Sequence, residues 1–218
     1  MRAWQILLST VGLVCAIAAV GAEAQRLTAY ERSQGWRLLF DGRSHDDWRG
    51  YRLNKLPDNW QIKDGALAAE DGPGLVTESE WGDFELTFEW RVGEGGAVEV
   101  FFHVSEDGIS PGDTGPVMQL AGHGGSVAAN GGLNKPRREI AIQPGVWCQA
   151  KVVVFGYQVE YWINGEEIST YLIDGAEWRA AVTASVHRGN RDYGLLHTGR
   201  IVFAGHGAAF RLIKARSI

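Results

Sequence analysis

An all-β fold, an antiparallel jelly-roll β-sandwich, is predicted by three features of this chain. Its apolar residues recur with a period of two, the segments patterned this way are short, and dipeptides that favour tight reversals stand between them. The clearest segment is F-E-L-T-F-E-W-R-V (84–92), which alternates without a fault. A-V-E-V-F-F-H-V-S (97–105) and P-V-M-Q-L (116–120) follow, then K-V-V-V-F (151–155) and V-E-Y-W-I (159–163), and R-I-V-F (200–203) and A-F-R-L-I (209–213) close the chain. Asp41-Gly42, Asp64-Gly65, Gly156-Tyr157 and Asn164-Gly165 supply the positive φ that tight turns need. One short turn of helix is expected within 175–182, and no long amphipathic helix is apparent.

The ends and the composition bound the rest. Residues 1–24 pair a basic start with an apolar run and an Ala22-Glu23-Ala24 step, the pattern of a signal peptide cut before Gln25. The run is short for a membrane span, which needs roughly 20 apolar residues, and no later segment is apolar enough to be one. A secreted or periplasmic product is therefore expected, with residues 25–218 forming a single domain. Cys15 falls in the expected leader, so no intramolecular disulfide is expected after its removal. The formal net charge is -5, with both signs mixed along the chain rather than blocked. That distribution argues against nucleic acid and for a small neutral partner. The 105–138 segment, rich in Gly, Pro, Asp and Asn, is long for a loop in a compact domain, and such loops usually carry function.

Alternation also sorts the side chains into faces. Val98, Val100, Phe102 and Val104 form one row of their strand, and Met118 with Leu120 form the matching row of the next, which makes both rows core. The opposite rows carry Glu99, Phe101 and His103 beside Val117 and Gln119. Trp36, Trp60, Trp90, Trp147 and Trp162 lie in or beside strands and read as core or edge packing. No G-x-S-x-G elbow is present, so a serine hydrolase does not fit; a jelly roll can host a two-carboxylate glycosidase, but Glu99 has no acidic partner two or four residues along its strand.

G-W-R-L-L-F-D-G-R with D-W (35–48), W-Q-I-K-D-G-A-L (60–67), L-V-T (75–77), G-D-F-E-L (82–86), T-G-P-V-M-Q-L (114–120) and V-E-Y-W-I-N-G (159–165) occur in one order. E-W (177–178), Ser185, G-R-I (199–201), H-G (206–207) and F-R (210–211) continue it. In that order they resemble the 3-keto-disaccharide hydrolase family, described also as 3-keto-glucoside 1,2-lyases and 3-keto-2-hydroxy-glucal hydratases. The resemblance implies a concanavalin A-like sandwich and cleavage of 3-keto glycosides by 1,2-elimination and hydration. The chain departs from the pattern at several places. Ala97, Val98 and Glu99 stand where the family reads N-S-G, and Val117 where it has Glu. Val186 replaces the Lys of S-K-F, Ala204 and Gly205 the Gln and Asp of L-Q-D-H-G, and Leu212 the Asn of F-R-N.

The chemistry so implied assigns candidates. A 3-keto group acidifies the hydrogen on C2, so elimination needs a base there, an acid for the leaving oxygen and donors for the enolate. Glu99, His103, Gln119 and His206 are the candidate catalytic residues, expected to converge on one concave face. Glu99 supplies the carboxylate that Val117 cannot. Phe101 is expected to stack on the sugar, and His123, Asn134, Lys135 and Arg211 to contact it. A divalent metal ion is implied by family analogy only, since the scattered histidines form no tight ligand motif. A non-catalytic carbohydrate-binding module of the same fold is the second reading.

Overall fold

Two strands run from one end of the molecule to the other in the computed structural model, which describes residues 25–122 and 127–218. The expected leader lies outside these residues. In chain order the elements are α1 (Ala29–Ser33), β1 (Arg37–Leu38), β2 (Trp48–Gly50), β3 (Trp60–Lys63), β4 (Ala66–Ala69), β5 (Leu75–Thr77), β6 (Phe84–Val104), β7 (Val117–Ala121), β8 (Cys148–Phe155), β9 (Gln158–Ile163), β10 (Glu166–Leu172), α2 (Ala176–Ala184) and β11 (Arg200–Ser217). No helix among the described residues is long and apolar enough to cross a membrane.

β6 and β11 pair antiparallel along nearly their whole lengths, from Phe84↔Ser217 to Val104↔Arg200. Their pairing is interrupted between His206 and Ala208, opposite the Gly93-Glu94-Gly95-Gly96 run. There the backbones approach so closely that a Cβ on Gly205 would lie 2.3 Å from the Ala97 carbonyl oxygen, and Gly207 sits at φ 58°. Side chains cannot be accommodated at such a crossing, so glycine permits the two strands to turn together. The first half of β6 and the second half of β11 continue into one layer, with β8, β9 and β10 on one side and β1, β4 and β3 on the other. The remaining halves form a second layer with β7 at one edge and β5 and β2 at the other.

The layers face each other, and their inner rows make the core. Phe84 meets Phe102 at 6.2 Å between ring centroids, Phe88 meets Phe203 at 4.9 Å, and Phe203 meets Phe210 edge-on at 5.0 Å. Val98, Val100, Phe102, Met118 and Leu120 are buried in this core, as alternation predicts. This is the antiparallel all-β sandwich expected of the sequence. Two separate closing strands were expected at 200–203 and 209–213, but they are one strand, because the intervening glycines bend the chain without ending its pairing. Helix α2 extends for 9 residues, longer than one turn. Short α1, which the strand periodicity does not signal, is closed by a capping box between Thr28 and Glu31.

The tryptophans divide between core and surface. Trp60 and Trp90 are buried in the core. Trp36, Trp147 and Trp162 are only partly buried and lie beneath cations: Lys214 and Arg216 over Trp36, Arg91 and Arg211 over Trp147, and Lys151 over Trp162. Apolar rings flanked by long basic side chains can be half-exposed on a sheet without forming a sticky patch.

A second register shift falls between Arg211 and Lys214, with Leu212 at φ 51°. A left-handed conformation costs a γ-branched residue roughly 1–2 kcal/mol, and Asn tolerates it best among non-glycine residues. Leu212 stands where the family pattern has Asn. The variant Leu212→Asn is expected to raise the free energy of unfolding by about 1 kcal/mol, measured by urea denaturation, and an unchanged midpoint would show that the strain is not relieved.

Candidate functional site

Glu99 and Gln119 are directly opposite one another on β6 and β7, on the outer face of the second layer. The Gln119 amide Nε2 donates to Glu99 Oε1 at 3.3 Å, while Gln119 Oε1 accepts from the Gly131 backbone N at 2.9 Å. A cross-strand position brings the two side chains together, and a turn at residues 130–132 fixes the amide from its other end. Asn130 builds that turn. It is fully buried, accepts from the Val117 backbone N at 2.7 Å and donates to the Tyr171 hydroxyl at 3.3 Å. Both Glu99 and Gln119 are half-exposed. Ala204 is the partner of Glu99 on β11, so the third side chain of this row is a methyl group.

His206 stands two residues beyond Ala204 on the same face, paired with Ala97. It is exposed, and its Nε2 donates to the Gly95 carbonyl at 3.1 Å. The row therefore runs Glu99, Gln119 and His206, with the imidazole tethered toward the glycine bend.

His103 is not in this row. β6 holds one extra residue here, since Phe101 pairs with Val202 while Val104 pairs with Arg200, and His103 takes φ 49°. Such a bulge rotates the following side chains onto the opposite faces. His103 turns into the core, 5.9 Å from the ring of Phe84 and 5.6 Å from that of Phe102, and is 2% exposed. Its Nε2 donates to the Gly82 carbonyl at 2.8 Å, and burial holds its pKa below the ordinary range of histidine. Val104, expected in the core row, is instead on the outer side with Phe101, Tyr51, Val76, Val117 and Val202.

Phe101 likewise departs from expectation. It is 8% exposed, because the 105–116 segment is drawn over it and a Cβ on Gly112 would lie 3.3 Å from its ring. Tyr51 donates to the Gly108 carbonyl at 3.0 Å, and Arg49 grips Glu106 through a bidentate pair. The Arg49 guanidinium beside Glu106 holds that carboxyl below its usual range. A ring sealed in this way cannot serve as a platform for sugar.

The proposed sugar contacts fall in separate places. Arg211 is on the outer face of the other layer, where its Nε donates to Glu89 Oε2 at 2.7 Å and its guanidinium carbon is 4.1 Å from the centre of the Trp147 ring. It is committed to a nearly buried ion pair and does not share a surface with Glu99. Asn134 donates from Nδ2 to the Ala128 carbonyl at 3.0 Å and to Ser169 Oγ at 2.5 Å, and Lys135 is exposed beside it. His123 lies outside the described residues.

The sequence reading missed His187. Its ring stacks on Tyr193 at 3.8 Å, burial lowers its pKa and the charge of Asp113 opposes that shift. Burial raises the Tyr193 phenol, and the charge of Glu99 raises it further. The Tyr193 phenol is thus within electrostatic reach of Glu99, and His187 stacks on that phenol's ring. No strand alternation signals His187, since it follows a helix in an irregular segment. Among the described residues no group of three or more His, Cys, Asp and Glu side chains is positioned to hold a metal ion. The divalent ion implied by family analogy thus finds no such donor set among the described residues.

Over residues 35–216 the chain matches the 3-keto-alpha-glucoside-1,2-lyase-like domain family. It belongs to that family, a class of carbohydrate-acting domains. A 3-keto-disaccharide hydrolase of Bacteroides thetaiotaomicron is 25% identical to it, over 75% of this chain and 68% of that protein. Two proteins of Parabacteroides distasonis ATCC 8503, each classed by inference as a glycosyl hydrolase, share the fold. One superposes with a TM-score of 0.82 at 24% identity, covering 90% of this chain and 100% of the other. The second gives 0.64 at 19% identity, covering 84% and 99%.

The buried imidazole of His103 makes folding sensitive to pH. Its folded pKa is below the unfolded value of about 6.5, so the unfolded chain binds its proton first. The stability it contributes is complete above the unfolded value and is lost as pH falls toward the folded one. In urea titrations between pH 7 and pH 5, His103→Asn, which tolerates the positive φ, should show a flatter loss of stability than the parent; parallel curves would remove His103 as a cause.

Proposed function

We propose that the protein cleaves 3-keto glycosides, with Glu99 as the base that removes the C2 proton. The observation that carries this reading is the Glu99 and Gln119 pair, a carboxylate and an amide hydrogen-bonded across adjacent strands on a half-exposed face. Family membership supports the substrate class.

The reaction balances without an external reagent. Glu99 takes the C2 proton, and the C2–H electron pair is delocalised onto the C3 oxygen as an enolate. Collapse of the enolate restores the C3 carbonyl, forms the C1–C2 double bond and breaks the bond from C1 to the leaving oxygen, which takes a proton. Addition of water across the new double bond then returns a 3-keto sugar, so the sum of both steps is hydrolysis. In this scheme Gln119 orients the carboxylate, and the Gly131 N–H fixes Gln119 in turn. His206, on the same face, is the nearest imidazole along the row to donate to the leaving group or to orient water.

Glu99→Gln keeps the shape and most hydrogen bonding while removing the base. It is expected to lower turnover of a 3-keto disaccharide by at least about a hundredfold, read by chromatography of the released sugar; near-parental turnover would exclude Glu99 from the chemistry.

One observation favours the second reading, a sugar-binding module without catalysis: Val117 and Ala204 present only hydrocarbon where the family has Glu and Gln, and Val117 is packed into the apolar cluster beneath the 105–116 segment. The readings separate on incubation with a 3-keto disaccharide and its unoxidised parent, as a binding module retains both unchanged.

Export through residues 1–24 is part of the proposal. Expressed with its leader in a Gram-negative host, the protein should appear in the periplasmic fraction with Gln25 at its N-terminus, and recovery of the intact chain in the cytoplasm would contradict this.

A further inference from the structure

A cavity of about 700 Å³ opens beside the edge strand β10, away from the Glu99 row. We propose that it is a second, non-catalytic binding site for a neutral pyranoside of mono- or disaccharide size. The inference rests on the carbohydrate reading above and extends it to a different surface.

Volume and lining both point to such a ligand. Small-molecule sites commonly enclose roughly 300–1,000 Å³, with an apolar wall and a few polar groups that fix orientation. Here the wall is built from Tyr171, Leu172 and Trp178. It is rigid: Trp178 is stacked between Tyr171 and Tyr193 with interplanar angles of 6° and 8°, and the Tyr171 hydroxyl is hydrogen-bonded to Tyr161 at 2.7 Å. Lys135, Gln158, Thr170 and Glu177 supply the polar side of the cavity. Together they offer a cationic donor, an anionic acceptor, an amide and a hydroxyl. Lys135 and Glu177 make no ion pair among the described residues. One positive and one negative side chain leave the cavity balanced in charge, which suits a polyol better than an anion or a cation. A pyranose has the matching surface, with hydroxyls around the ring edge and C–H groups on its faces.

The cavity is linked mechanically to the Glu99 row. The 130–134 turn holds Gln119 through the Gly131 N–H, reaches the Tyr171 hydroxyl through Asn130, and contributes Asn134 to the lining. A sugar seated beside β10 therefore contacts the segment that positions Gln119. In this arrangement the site holds one unit of an oligosaccharide, or a separate sugar, against the turn that supports the carboxylate.

The test uses the mature chain, isotopically labelled, with maltose, cellobiose and trehalose as unoxidised probes. At least one is expected to shift the amide resonances of Lys135, Gln158 and Thr170. The double substitution Lys135→Ala with Glu177→Ala, both at exposed positions, should weaken that binding by roughly tenfold or more, whereas Glu99→Gln should leave it unchanged. Thr170→Trp, which fills the cavity from the edge strand, should abolish it with the folded spectrum otherwise retained. Probe-induced shifts confined to residues around Glu99, or affinity indifferent to both cavity variants, would overturn the proposal. Cleavage of a 3-keto disaccharide with no response in the cavity removes the second site and leaves the enzymatic reading standing. Cavity binding without any cleavage upholds the site and removes the chemistry.

Discussion

Antiparallel pairing of β6 with β11 is the constraint on which the rest of the molecule depends. Both layers of the sandwich are built on the same two strands, so a single hydrogen-bonded ladder carries the chain from one sheet to the other. The glycines at the bend allow this crossing, and the inner rows of the two halves then face each other across a core of interlocked phenylalanines. Whatever faces outward on one half of the ladder is on the opposite side of the protein from what faces outward on the other half. Arg211 and Glu99 are separated for this reason, although both are outer-row residues of adjacent strands.

Register shifts then decide which outer residues meet. Between Glu99 and Phe101 the pairing with β7 and β11 is regular, so simple alternation puts Glu99 beside Gln119 and their contact is legible in the sequence. Two residues later the bulge at His103 inverts the pattern. A histidine carrying a positive φ leaves no mark in a hydrophobic pattern, because the residues on both sides remain β-formers and the extra residue is counted only against β11, far along the chain. His103 and Val104 therefore exchange faces unannounced. Phe101 was legible as an outer-row residue, but its cover was not. That cover depends on Arg49 and Glu106, which meet across 57 positions and carry no local signature of contact.

The outer face of the other layer obeys a different logic. Glu89 and Arg211 are paired across β6 and β11 and have side chains 9% and 11% exposed, so each gives up most of its hydration. Breaking one partner of such a pair strands the other charge, whereas the intact pair adds little over apolar packing. Trp147 completes the enclosure, its ring in contact with the guanidinium groups of both Arg91 and Arg211. The sequence reading took Trp147 and Trp162 as packing residues, which is correct in kind, but their neighbours are basic stems rather than hydrocarbon from the core. Their place in or beside strands marked them for packing, but did not show that the packing partners would be the cations of neighbouring strands.

The displaced carboxylate has a geometric consequence for any chemistry at this face. Val117, where the family has Glu, pairs with Phe101 and belongs to the sealed apolar cluster, so a carboxylate there would stand beside the 105–116 cover. Glu99 pairs with Gln119 instead, one strand across and two residues along from Val117. Diagonal neighbours of this kind are roughly 7–8 Å apart in an antiparallel sheet. With Glu99 as base, C2 of the sugar must be displaced by that distance, away from the closed end and toward Ala204 and His206. The methyl group of Ala204, paired with Glu99, leaves room on that side where the family pattern has Gln. On the proposed assignment of Glu99 as base, the hydrocarbon at 117 and 204 and the carboxylate at 99 form a single coupled change. In that proposal the reactive centre is shifted along the sheet, from the end covered by the 105–116 segment toward the end bordered by the glycine bend.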